Sequence, residues 1–224
     1  MPIRCMVVTI AAAFSFFSCQ RSAPQIDEFR WRLLYRDTGV NRYEELAIFV
    51  RASDRDGSED LEQLTVSAGN TGLIWSFSSD EWVRDVDMRE EENGWIGLPA
   101  IIPLKGFELP EELYTLTLKD RTGESQRITF RPDPRRPRLP EIEWPQARVE
   151  NGIFLLEGPY EEGTLIFRNK DFTLGRTLEV TSGIAIDIDG DAHWWEVWIP
   201  LPERSSGFRL GPFLLQAEGN GSSP

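Results

Sequence analysis

The 224-residue chain reads as all-β, built from antiparallel strands in two sandwich modules joined by a Pro/Arg-rich linker. Three observations predict this. Short runs rich in β-branched and aromatic residues recur between Gly, Asn, Asp and Pro signals, which is the grammar of strands and turns. No stretch of ten or more residues carries the 3.6-residue periodicity of an amphipathic helix. Residues 131–140, "RPDPRRPRLP", hold four prolines and four arginines, and the strand grammar resumes beyond them. Proline fixes φ and lacks a backbone donor, so this segment cannot be an interior strand.

The first element precedes any strand. Residues 1–18 carry one positive charge, Arg4, and then an apolar run from 6 to 17 broken only by Thr9 and Ser15. That run is shorter than the roughly 20 apolar residues a membrane-spanning helix needs, so it reads as an export signal. The small residue Ser18 stands just before Cys19. Here the chain resembles a bacterial lipoprotein signal, although Phe16-Phe17-Ser18 replaces the usual Leu, small, Gly/Ala pattern. The resemblance implies cleavage ahead of Cys19, acylation of Cys19 with lipid that palmitate would label, and localisation to the bacterial cell envelope. Gln20, where lipoproteins kept in the inner membrane often carry Asp, implies the outer membrane. Two or three acyl chains on one residue suffice for stable anchoring. A plain secretory signal with an incidental cysteine is the competing reading.

Cysteine usage and charge bound the chemistry. Cys5 and Cys19 are the only cysteines, so a mature chain starting at Cys19 and acylated there has no thiol for nucleophilic, redox or zinc chemistry. Removing residues 1–18 moves the net charge from −13 to −14. Such a chain repels nucleic acid. Residues 19–28 form a tether reaching about 30 Å when extended, which holds the first module close to the membrane.

Residues 29–131 form the first module, with strands in "FRWRLLY", "ELAIFVRAS", "LEQLTVSA", "GLIWSF", "WIGL", "LYTLTLK" and "QRITF". Tyr114 opens a strand four residues after Pro110. That is the spacing of a tyrosine corner, whose phenol hydroxyl bonds back to the loop backbone. With this corner and the "SDRDGSEDL" stretch, the module resembles fibronectin type III and bacterial immunoglobulin-like domains, which implies structural roles for Pro110 and Tyr114. These folds host many functions, so the resemblance speaks to architecture. Residues 132–140 are the linker, read either as a basic docking strip or as a spacer whose arginines pair with nearby carboxylates. Residues 141–217 are a second β module, expected to be immunoglobulin-like as well, and 218–224 a disordered tail.

Asp54, Asp56 and Asp60, with Glu59 and Glu62 beside them, are candidate oxygen ligands for calcium, which takes six to eight. The stretch 187–191, "DIDGD", offers three more. The competing reading is a turn, since Asp-Gly suits tight hairpins; neither stretch follows the EF-hand pattern, so the chain is expected to need no cofactor. His193 is the single histidine, and no G-x-S-x-G, HExxH or GxxxxGK accompanies it. In "HWWEVWIP" strand alternation puts His193, Trp195, Val197 and Ile199 on one face and Trp194, Glu196 and Trp198 on the other. The second set resembles two stacking platforms flanking an acceptor, or else a face covered by the first module or the linker. The expected function is non-catalytic: an envelope-anchored protein-binding module or structural spacer, with a Trp-based glycan binder and a carboxylate hydrolase as the alternatives.

Overall fold

A computed structural model describes residues 22–84, 95–98, 100–133, 135–187, 191–201 and 206–215. The export signal, Cys19, Gln20, the tail 218–224 and residues 188–190 of the second acidic stretch lie outside the described residues. The fold is all-β. In chain order the strands are β1 (Gln25–Asp37), β2 (Arg42–Ser53), β3 (Leu61–Ala68), β4 (Ile74–Ser78), β5 (Val83–Arg84), β6 (Trp95–Gly97), β7 (Tyr114–Asp120), β8 (Ser125–Phe130), β9 (Gln146–Glu150), β10 (Ile153–Glu157), β11 (Glu162–Arg168), β12 (Leu174–Thr181), β13 (Trp194–Pro200) and β14 (Ser206–Leu214).

They form an eight-stranded sheet in the order β12-β11-β13-β14-β1-β2-β6-β5, a four-stranded sheet β4-β3-β7-β8 and the hairpin β10-β9. Pairing is antiparallel throughout except between β1 and β14, which run parallel from Leu33↔Ser206 to Asp37↔Leu210. The sequence dictates the inner face of the large sheet by alternation. Phe29, Trp31, Leu33 and Tyr35 of β1 and Leu46, Ile48 and Val50 of β2 point to the same side, where Leu64, Val66, Leu116 and Leu118 of the four-stranded sheet complete a buried core. Farther along, Leu165, Phe167, Trp195, Val197 and Ile199 belong to the same core, with Phe154 and Leu156 of the hairpin. Burying each such side chain contributes about 1.5–3 kcal/mol.

The two separate modules expected from the sequence are not shown. Strands from both halves share the eight-stranded sheet, because β14 returns to lie beside β1. The Phe208 ring of β14 sits at that joint. Its centroid is 5.5 Å from Tyr35 of β1, 5.7 Å from Trp144 and 5.2 Å from Tyr160, so residues from both halves surround one aromatic core.

The segment expected to be a spacer is fastened to the first half. Arg136 is buried and donates to both carboxylate oxygens of Glu44, at 2.8 and 3.1 Å, and to the Leu109 carbonyl oxygen at 2.7 Å. Arg138 pairs with Glu108 and, at 3.3 Å, with Glu111. The arginines do pair with nearby carboxylates, but at Arg136 the pair is buried rather than solvated. The proline-rich segment is therefore packed structure and not an extended spacer.

The arginine and tryptophan face as candidate site

The large sheet has a second face, and sequence alternation loads it with charge. On β1 the residues between the core positions are Arg30, Arg32, Leu34 and Arg36. Register places Arg36 beside Arg209 of β14 and Arg209 beside Trp198 of β13. Glu196 and Trp194 follow on β13, with Arg168 of β11 opposite Trp194. Trp95 of β6 closes the face at the other side of β2.

Glu196 is the centre of this arrangement. Only 3% of it is exposed, and its Oε1 accepts from Arg36 at 3.0 Å while its Oε2 accepts from Arg209 at 2.8 Å. Arg168 lies 3.5 Å from the same Oε2. Arg209 also reaches Glu45 of β2 at 3.2 Å. Burial alone raises the Glu196 pKa, but the Arg209 and Arg36 guanidinium groups outweigh it and hold the carboxyl below the usual range. Burial likewise lowers the Arg209 pKa, and Glu196 and Glu45 more than reverse this. Three guanidinium groups thus surround two carboxylates.

The tryptophans extend the pattern. Arg30 stacks over Trp95 at 4.8 Å and Arg32 over Trp198 at 5.6 Å, contacts in which the ring quadrupole attracts the cation. Trp194 is stacked on Phe172 at 5.0 Å and meets the His193 ring edge-on at 5.2 Å. The two expected platforms therefore flank an acceptor already occupied by arginines. A carboxylate that is 3% exposed, accepts from Arg36 and twice from Arg209, and has a lowered pKa offers little to a sugar hydroxyl and is poorly suited to take a proton.

The remaining candidate residues fall elsewhere. Tyr114, fully buried, donates its hydroxyl to the Pro110 carbonyl oxygen at 2.9 Å. Burial pushes its pKa well above the ordinary phenol value. The Asp54 Oδ1 accepts from the Asp56 amide at 2.9 Å, and the Gly57 amide donates to the Asp54 carbonyl oxygen, so this acidic stretch forms a turn before a 3-10 helix at Ser58–Asp60. Gly57 supplies the positive φ of 118° the turn requires. Among the described residues no group of three or more His, Cys, Asp or Glu side chains is gathered as a metal would need. His193 is half-buried, and its amide donates to the Arg168 carbonyl oxygen at 2.8 Å.

Sequence reasoning missed Arg30, Arg32, Arg36, Arg209 and Glu45. The signal for the first three was present: "FRWRLLYRD" alternates large apolar residues with arginines at period two. Arg209 and Glu45 join them only through the pairing of β14 with β1, which has no local signature. No protein-family model matches the chain, and comparison with curated proteins and with solved structures finds no significant match.

Proposed function

We propose that this chain is a lipid-tethered, non-catalytic component of the bacterial cell envelope, a rigid β scaffold that holds a protein partner near the membrane. The observation that carries the reading is the position of β1. It begins six residues after Cys19 and lies inside the large sheet between β14 and β2. Load on an acyl anchor at Cys19 would pass directly into the strand that joins both halves, as a spacer or adhesive component requires. The burial of Glu196 and its pairing with Arg36 and Arg209 support a structural use of the candidate face over a glycan or hydrolase use. Among the described residues no helix is long and apolar enough to cross a membrane, and attachment through Cys19 needs none. By resemblance, Gln20 favours the outer membrane.

The test is metabolic labelling of cells expressing the chain with labelled palmitate, followed by detergent phase partitioning. The wild type is expected to take up label and enter the detergent phase, and Cys19→Ala to do neither. A label-free wild type that stays in the aqueous phase removes the lipid tether from this reading.

A further inference from the structure

We propose that the arginine row of β1 is the docking site for an extended acidic peptide segment of a partner protein. The inference rests on the protein-binding reading above and supplies the partner's chemistry. Its first support is Arg32. Among the described residues this guanidinium has no carboxylate partner, and the Trp198 ring is what it lies against. Burial and the neighbouring Arg30 both lower its pKa, so an added negative charge would relieve an unfavourable arrangement.

The second support is spacing. Arg30 and Arg32, both exposed, occupy alternate positions of one strand and so project from one face about 6.6–6.8 Å apart, with Arg30 also 3.5 Å from Glu28. An extended peptide with acidic residues at every second position repeats its carboxylates at the same interval. A lone phosphate would meet one arginine of the row, whereas an acidic strand meets both exposed ones, Arg30 and Arg32, while Arg36 is buried against Glu196.

The third support is charge complementarity. The whole chain is at −13, yet in the cluster at the end of this row three arginines meet, among the described residues, the two carboxylates of Glu196 and Glu45. An acidic chain that concentrates arginines on one face excludes most anions by its overall field and admits those that fit the local pattern. The planar fork of arginine pairs with carboxylates at two points, and stacking on Trp95 and Trp198 holds two of the forks in place.

The experiment is a fluorescence-anisotropy titration of the purified full chain in detergent with a labelled (Glu-Thr)4 peptide at about 20 mM and 150 mM salt. Saturable binding that weakens with salt is expected. Arg32→Gln should weaken it about tenfold with an unchanged melting temperature. If Arg32→Gln also shifts the melting temperature, Arg30→Gln serves as the second variant and should weaken binding severalfold. The proposal is overturned if the peptide shows no saturable binding at low salt, if both variants bind as the wild type does, or if heparin binds while the peptide does not. Because the titration does not depend on acylation, its failure is separable from failure of the palmitate experiment.

Discussion

Glu44 and Glu45 are consecutive on β2, and both are buried, at 1% and 4% exposed, on opposite faces of the same sheet. Successive strand residues point to opposite sides, so the pair carries one carboxylate inward and one outward. Glu44 accepts from Arg136 and from the Leu109 amide, at 2.7 Å. It ties the proline-rich segment and the loop before β7 to the sheet. Glu45 accepts from Arg209 and ties β2 across β1 to the last strand. One dipeptide thus fastens the chain's middle to one face and its end to the other.

Breaking the inner tie is expected to be costly. Arg136→Met leaves Glu44 buried and without its guanidinium, a change that costs about 3–5 kcal/mol, whereas replacing both partners with apolar side chains of similar volume is often near neutral. Urea denaturation at pH 7 of Arg136→Met, Glu44→Leu and the double variant checks this. A single-variant loss below about 1 kcal/mol would mean that the pair bears little on stability.

The shared sheet predicts one cooperative unit. Phe208 touches rings from both halves, so Phe208→Ala should cost about 3–5 kcal/mol and lower the stability of the whole chain. Tryptophan fluorescence and far-ultraviolet circular dichroism should report the same midpoint in urea, as a two-state unit does. Trypsin cleavage near the arginines of residues 131–138 should not release two stable folded fragments. Two separated transitions, with only the later one moved by Phe208→Ala, would restore the picture of independent modules.

Alternation made the strands and the inner face legible in the sequence. "ELAIFV" placed Leu46, Ile48 and Val50 together, and "HWWEVWIP" separated Trp195, Val197 and Ile199, which join the core, from Trp194, Glu196 and Trp198, although Glu196 is buried as well. The Tyr114 to Pro110 spacing was equally local. What alternation could not reveal was the neighbour of each strand. β14 pairs with β1 across the length of the chain, and such pairing depends on the complementarity of distant faces, which no window of sequence contains. One clue was available: Glu44 shares the parity of Leu46, Ile48 and Val50, and a carboxylate at a core position calls for a buried cation. The proline-rich segment supplied it in Arg136, where composition alone argued for solvent.

The outer cluster gives stability a defined pH dependence. The Glu196 carboxyl has a lowered pKa in the folded state, so its contribution is fully present above the ordinary glutamate pKa of about 4.3 and is lost as pH falls through the lower folded value. The wild type should therefore lose stability steeply below about pH 4. Glu196→Gln should be less stable at pH 7, because Arg36 and Arg209 lose their counter-charge, and should show a shallower fall in acid. Urea midpoints measured from pH 7 to pH 3 test the sign. Parallel curves for the two proteins would remove Glu196 from the acid response.

The last prediction concerns how Trp198 is held beneath Arg32. Gly207 of β14 lies under the indole: a Cβ built there would stand 2.5 Å from Trp198 Cζ3 and 2.5 Å from the Ile199 carbonyl oxygen, closer than van der Waals contact allows. Glycine is thus required by close approach, and the missing side chain lets the Trp198 ring of β13 come up against β14. Gly207→Ala should force the indole away at a cost of about 1–3 kcal/mol, the range for overpacking a tight site, and should expose it to solvent. The readout is acrylamide quenching, with the Trp198→Phe background subtracted to isolate this one fluorophore among eight tryptophans. Quenching should rise, and the Arg32 guanidinium, having lost its platform, should bind the acidic peptide more weakly than in the wild type. Unchanged stability and unchanged quenching would mean that the ring does not rest on Gly207. Unchanged peptide binding with raised quenching would instead show that Arg32 needs no platform to present its charge.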